Sequence, residues 1–203
     1  MSTKINLHVV GDSISIHYGP YLKTMVEPVF MYSRKEGKYG NLDRPEGANG
    51  GDSRMVLRYL KEIQQKYDVL LINCGLHDIK RNLPEKEYQV PPEVYENNLN
   101  LIVSESERIA HHLIWIKTTP VEDLRHNSIS TQFYRYEADV ALYNSIADKV
   151  MDKGADIIID LHGLTKTLGD DVYCDHVHFK EHVRQIQAAY IAGHLMSFAR
   201  NYM

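Results

Sequence analysis

Apolar positions along the chain follow two alternating rhythms. Short runs rich in Val, Ile and Leu lie at residues 4–10, 28–32, 68–73, 113–116 and 155–160. Such runs are long enough for strands and too short for buried helices. Between them the apolar residues are spaced as one face of a helix. Val56, Leu57, Leu60 and Ile63 mark a helix from Ser53 to about Tyr67, and Val94, Leu99, Ile102, Val103 and Ile109 mark one over 93–111. Two more helices are predicted over 136–153, stopped by Gly154, and over 180–200, and Pro20 at a helix start predicts a short one over 21–26. The run at 68–73 has no polar alternation, as expected of a parallel strand covered on both faces. Strands alternating with helices of this length imply βαβ units, right-handed crossovers and an α/β fold on a five-stranded parallel sheet.

The polar breaks gain meaning from that arrangement. Gly11-Asp12-Ser13 ends the first strand, and Gly50-Gly51-Asp52-Ser53 opens the second long helix with a capping signature. Cys74-Gly75-Leu76-His77-Asp78 follows the third strand, Thr118-Thr119-Pro120 the fourth, and Asp175-His176-Val177-His178 lies beyond the fifth. Ser13, Gly51, His77, Thr119 and His178 therefore sit in loops after strands or just before helices, on the edge where open α/β sheets bind ligands. The polar stretch 33–49 reads as a long loop, of a length that is usually functional or mobile.

Composition narrows the class. With 203 residues the chain suits a single domain with a full core. A net charge of -4 argues against a nucleic-acid or anionic-membrane surface. No apolar run reaches the ~20 residues of a membrane span. The first residues run straight into a strand with no signal-peptide apolar region, so a cytoplasmic location is expected of the sequence as written. A secreted or periplasmic location would apply if a leader had been removed. Cys74 and Cys174 are too few for a disulfide scaffold, and two buried free thiols are expected rather than a mutual bridge. Fourteen tyrosines against four phenylalanines suit a surface receiving a polar ring, and equally suit half-buried packing.

A serine hydroxyl needs a neighbouring base to become a nucleophile. His178 is the candidate base, with Asp175 three residues earlier to orient it, and the order Ser, Asp, His matches that of α/β-hydrolases. The Gly-x-Ser-x-Gly elbow of those enzymes is absent. The backbone amides of Ser13 and Gly51, with the His77 side chain, are candidate oxyanion donors. Together Gly11-Asp12-Ser13, Gly50-Gly51-Asp52, Gly75-Leu76-His77-Asp78 and Asp175-His176-Val177-His178 resemble, in order and spacing, the four blocks of the SGNH (GDSL) hydrolase superfamily. The resemblance implies a flavodoxin-like three-layer α/β/α sandwich and ester hydrolysis through an acyl-enzyme without metal or other cofactor. It makes Ser13 the nucleophile and first oxyanion donor, Gly51 the second donor, Asp175 the orienting acid and His178 the base. The third block departs from the family, with His77 where Asn is usual. A neutral imidazole supplies one N–H in its place.

Other residues carry plainer readings. His8 is expected as a hydrogen-bonded core histidine, and Asp12 and Asp52 as turn and cap residues. Asp78 either braces the third-block loop or caps the turn that follows, and Arg54 is a solvated helix charge by default. The pairs His176/His178 and His111/His112 lack the companions of a zinc site, and no dinucleotide or P-loop spacing is present. The expectation is a serine esterase acting on small acyl esters, with acetyl groups on a carbohydrate favoured. A thioesterase or lysophospholipase of the same fold, or a non-catalytic or acyl-transferring glycan-binding relative, are the alternatives.

Overall fold

The computed structural model describes residues 3–38, 45–130 and 132–202. Its sheet grows outward from β1 (Ile5–Val10), which pairs in parallel with β2 (Phe30–Arg34) on one side and β3 (Tyr67–Ile72) on the other. Beyond β3 lie β6 (Ala110–Ile116) and β8 (Ile157–Ile159), again parallel. The expected all-parallel, five-stranded, flavodoxin-like order is thus present. Leu7, Val69, Leu70, Leu71, Ile114 and Trp115 are buried in the strands. Burying a side chain of this size stabilises by roughly 1.5–3 kcal/mol.

Helices cover both faces. α1 (Ser13–Val26) packs with α7 (Glu181–Tyr202), while α2 (Ser53–Glu62), α3 (Pro92–Ile109) and α5 (Glu137–Gly154) pack in succession. Right-handed crossovers put these groups on opposite faces, because the chain leaves β1 in one direction for β2 and returns past it to β3. The crevice outside β1 and β3 is thereby the switch point where α/β sheets take ligands. Ser13 and His77 follow those two strands.

Several boundaries differ from the sequence expectation. α1 starts at Ser13 rather than after Pro20, because Asp12 caps it: the Asp12 carboxylate accepts from the Ile14 N–H at 3.0 Å. Pro20 sits inside the helix. α2 ends at Glu62, and Tyr67 already belongs to β3. Ser33 and Arg34 are strand, not loop, and residues 39–44 of the expected loop lie outside the described residues. A three-stranded antiparallel sheet also forms from β4 (Arg81–Asn82), β5 (Glu87–Tyr88) and β7 (Phe133–Tyr134), beside the short helix α4 (Asp123–Ile129), while α6 (Leu161–Lys166) packs on α7. Arg81 fixes that sheet to α5 through two bonds to Asp139, each 2.8 Å. Both cysteines are free, but only Cys74 is buried, and Cys174 is exposed. Among the described residues no helix is long and apolar enough to cross a membrane.

Candidate active site

The serine turn is built from short-range bonds. At Gly11 a Cβ would meet the Ser15 side chain at 2.9 Å, so the chain turns tightly out of β1 only with glycine there. The Ser15 hydroxyl donates to the Asp12 carbonyl at 2.7 Å. Ser13 is then the first residue of α1, 2% exposed, with its hydroxyl at the carboxyl edge of the sheet.

From the other end of the chain, the 175–178 loop reaches the same point. His178 Nε2 lies 2.9 Å from Ser13 Oγ, and His178 Nδ1 lies 2.7 Å from Asp175 Oδ2. The second carboxylate oxygen accepts from the backbone N–H groups of Val177 and His178 at 2.8 and 2.7 Å. One side chain therefore both shapes its loop and aims the imidazole. Burial alone would raise the Asp175 carboxyl. The hydrogen bonds from the His178 ring and from the two backbone amides outweigh it and hold the group well below the usual carboxylate range. An antiparallel bridge between Tyr173 and Phe179, with the Cys174 N–H donating to the His178 carbonyl at 2.8 Å, closes the loop's base. His17, one turn beyond Ser13, packs its ring 4.8 Å from that of His178. Burial, then the His178 and Arg184 charges, lower its pKa to about 4, so it stays neutral.

The opposite wall is different. The Gly50 N–H donates to the Gly11 carbonyl at 2.8 Å, and a Cβ at Gly50 would crowd that oxygen at 3.0 Å, so the glycine loop lies directly on the serine turn. Gly51 has φ +73°, a conformation that favours glycine. Its N–H, an expected oxyanion donor, is held by the Asn49 side-chain oxygen at 2.9 Å. Asp52 caps α2 through the Arg54 and Met55 amides, both at 3.1 Å, and pairs with Arg54 at 3.0 Å. Asp78 accepts the Ser53 N–H at 2.9 and 3.1 Å, so it ties the third-strand loop to the start of α2. Burial pushes the Asp78 carboxyl up to about 7 against the pull of the Ser53 bonds.

His77 is 2% exposed, and neither ring nitrogen has a hydrogen-bond partner among the described residues. A buried polar group left unpaired costs about 1–3 kcal/mol, and such groups ask for an explanation. Burial, then the charges of Lys80, Arg135 and His178, drive the His77 pKa well below its ordinary value. The result is a neutral imidazole with an unused N–H in the loop after β3, near enough to His178 to feel its charge. Thr119 is buried on the same rim but takes no part in the Ser13–His178–Asp175 chain. His8 is the expected core histidine, bonded to Ser33 and Tyr59 at 2.9 Å each.

Four partners lay outside the sequence reading. Asn49 holds the Gly51 amide, Arg34 donates to the Ser15 carbonyl at 3.0 Å, and His126 meets His176 with Nδ1 atoms 2.8 Å apart. Buried Arg135 donates to the Leu76 carbonyl at 2.8 Å. No local pattern signals these contacts; the residues lie up to 59 positions apart. Among the described residues no group of three or more His, Cys, Asp and Glu side chains is arranged to hold a metal ion.

Fold and site together define an α/β protein with a Ser–His–Asp hydrogen-bond chain at its switch point. No protein-family model and no curated protein matches the sequence. Solved structures do match the fold. A lipase/acylhydrolase from Enterococcus faecalis superposes with a TM-score of 0.72 at 15% identity over 94% of this chain and 95% of its own. A GDSL-like lipase from Parabacteroides merdae gives 0.72 at 17% identity, covering 96% and 98%. The acetylxylan esterase Axe2 from Geobacillus stearothermophilus gives 0.67 at 16% identity, covering 94% and 93%. At these identities the likeness is one of fold.

Proposed function

We propose that the protein is a serine esterase of the SGNH type that removes small acyl groups, acetyl foremost, from a carbohydrate alcohol. The observation that carries the reading is the unbroken chain from Ser13 Oγ to His178 Nε2 and from His178 Nδ1 to Asp175, at 2.9 and 2.7 Å. These are the distances a nucleophile, base and orienting acid require. The fold is shared with proteins described as lipases, acylhydrolases and acetylxylan esterases, which supports ester chemistry and, through the last, a sugar alcohol. The whole chain is read as one such domain.

In this mechanism Ser13 Oγ attacks the ester carbonyl carbon as its proton passes to His178 Nε2. The carbonyl oxygen becomes an oxyanion facing the Ser13 amide, the His77 N–H and the Gly51 amide. The Gly51 donor serves once Asn49 yields it or shares it. Collapse of the tetrahedral species breaks the bond to the alcohol, which leaves with the proton from His178. Water then attacks acyl-Ser13, giving its proton to the same nitrogen, and the carboxylic acid departs as Ser13 is reprotonated.

A fluorophosphonate probe tests the nucleophile: a covalent adduct on Ser13 is expected, and adduct-free protein overturns the reading. Hydrolysis of p-nitrophenyl acetate by the wild type and not by Ser13→Ala excludes a glycan-binding relative without catalysis. The likeness to a lipase/acylhydrolase favours a second reading, a longer acyl chain. Rates across acetate, butyrate and octanoate esters separate the two, with acetate fastest on the leading one.

A further inference from the structure

Against the Leu76–His77 peptide lies a cluster with no part in the Ser13–His178–Asp175 chain. Arg135 is 1% exposed, a burial rarely given to a guanidinium. It sits between β7 and α5, and its position is fixed at both ends. The Asn127 side chain takes the Arg135 N–H and gives a donor back to its carbonyl, each at 3.0 Å. At the tip, Nε donates to the Leu76 carbonyl at 2.8 Å. Leu76 and His77 share that peptide unit, so the bond fixes the plane from which the imidazole projects. The guanidinium carbon lies 4.9 Å from the centroid of the Phe133 ring, and Lys80 Nζ lies 4.3 Å from the same centroid. Two buried cations thus share one aromatic ring, and both bear on a histidine whose ring nitrogens have no hydrogen-bond partner among the described residues.

Resting on the esterase reading above, we propose that Arg135 is the positioning residue of the oxyanion wall. Its Nε donor fixes the Leu76–His77 peptide, and its charge adds to burial and Lys80 in keeping the imidazole neutral and N–H-donating. The physical reasoning has two parts. A buried positive charge nearby makes a second positive charge on His77 costly. The same charge favours the negative oxygen that forms at the oxyanion site. An amide at this position needs no such device, since asparagine never protonates. A histidine does, and Arg135 adds to what burial and Lys80 already supply. The charged groups bearing on His77 are Lys80, Arg135 and His178. Asp78, the next residue in the chain, faces Ser53 instead. Arg135 also bears on the Asp12 carboxyl that caps the serine turn, whose pKa burial raises and the guanidinium draws down.

The test reads the His77 ring directly by NMR, with its signal assigned by loss in His77→Asn. In wild type that signal stays flat from about pH 5 to about pH 8, the window in which an ordinary histidine titrates. Arg135→Gln keeps a donor for Leu76 and removes the charge. In this variant the His77 titration is expected to move upward, its onset entering the low end of the window, and kcat to fall about tenfold to a hundredfold while KM stays within about threefold. Arg135→Lys restores a flat His77 signal and an intermediate kcat, because the ammonium keeps the charge and loses the fork. A His77 titration in Arg135→Gln identical to wild type, or an unchanged kcat, overturns the proposal. Should Arg135→Gln not fold, the Lys variant decides, and wild-type kcat there overturns it equally. The titration is read without substrate, so a fluorophosphonate test that fails on Ser13 sinks the esterase reading separately.

Discussion

The two walls that flank Ser13 are made in opposite ways. On the proton-handling wall, every polar atom of the Asp175–His178 pair that the mechanism uses is already bonded, by partners at most three residues away apart from Ser13 itself. On the proposed oxyanion wall the His77 ring nitrogens have no hydrogen-bond partner among the described residues, and the Gly51 amide is held by Asn49. The contrast follows the chemistry. A base must be aimed before substrate arrives, and a local carboxylate does this with one turn of backbone. An oxyanion exists only during the reaction, so its donors are left unsatisfied or weakly engaged until then, and the surrounding fold must hold them in place.

The sharpest way to break this comparison is on the first wall. Ser13→Ala and His178→Ala should each reduce kcat by about 10⁶-fold, whereas Asp175→Asn should reduce it by about 10⁴-fold or less. Ester turnover measured side by side gives the ranking. If Asp175→Asn proves worse than His178→Ala, Asp175 does more than orient. The second wall should respond less. His77→Ala should lose about two orders of magnitude, and His77→Asn should keep most activity because its amide offers the same kind of donor. Equal losses in both variants would remove His77 from the oxyanion site.

Asn49 comes next. Asn49→Asp would place a carboxylate on the Gly51 N–H, close to where negative charge develops, and kcat should drop by at least about tenfold. Asn49→Ala frees the amide and should change kcat by no more than about threefold. A large loss in the alanine variant would mean that Asn49 chiefly builds the loop.

The same contrast explains what could be read from the chain. The apolar runs announced the strands because parallel strands are covered on both faces, and the Asp175–His178 spacing announced the first wall because its bonds are local. Pro20 misled the start of α1, since the capping signal lay in Gly11-Asp12-Ser13 itself. The two-residue strands of the small sheet are too short to carry a period. Asn49 and Arg135 were silent, because each acts on a backbone group and any sequence offers one; Asp78 reads as a brace or a cap, but its partner Ser53 does not show. His77 was visible only as a departure from a resemblance. Its isolation from hydrogen bonds is a fact of three dimensions.

The smallest effect on activity, and a test of the two walls through stability, concerns their carboxylates. Asp175 is held below its ordinary pKa, so its contribution is present above the unfolded value near 4 and is lost as pH falls through the folded one. Asp78 runs the other way. Its folded pKa is raised to about 7, so the native state favours the protonated form. The stability it contributes is fully present below the unfolded value and is lost as pH rises from about 4 through about 7. Fully realised, the difference between 3.8 and about 7 amounts to roughly 4 kcal/mol. Asp78→Asn keeps an acceptor for the Ser53 N–H and removes the titration. The wild type should therefore lose ground to Asp78→Asn as pH rises across this window, by about 10 °C in Tm. Activity near neutral pH should change little, because Asp78 touches α2 and not the reacting atoms. A Tm difference that stays constant with pH would mean that Asp78 is ionised throughout, and that the second wall carries a buried charge where the raised pKa places a proton.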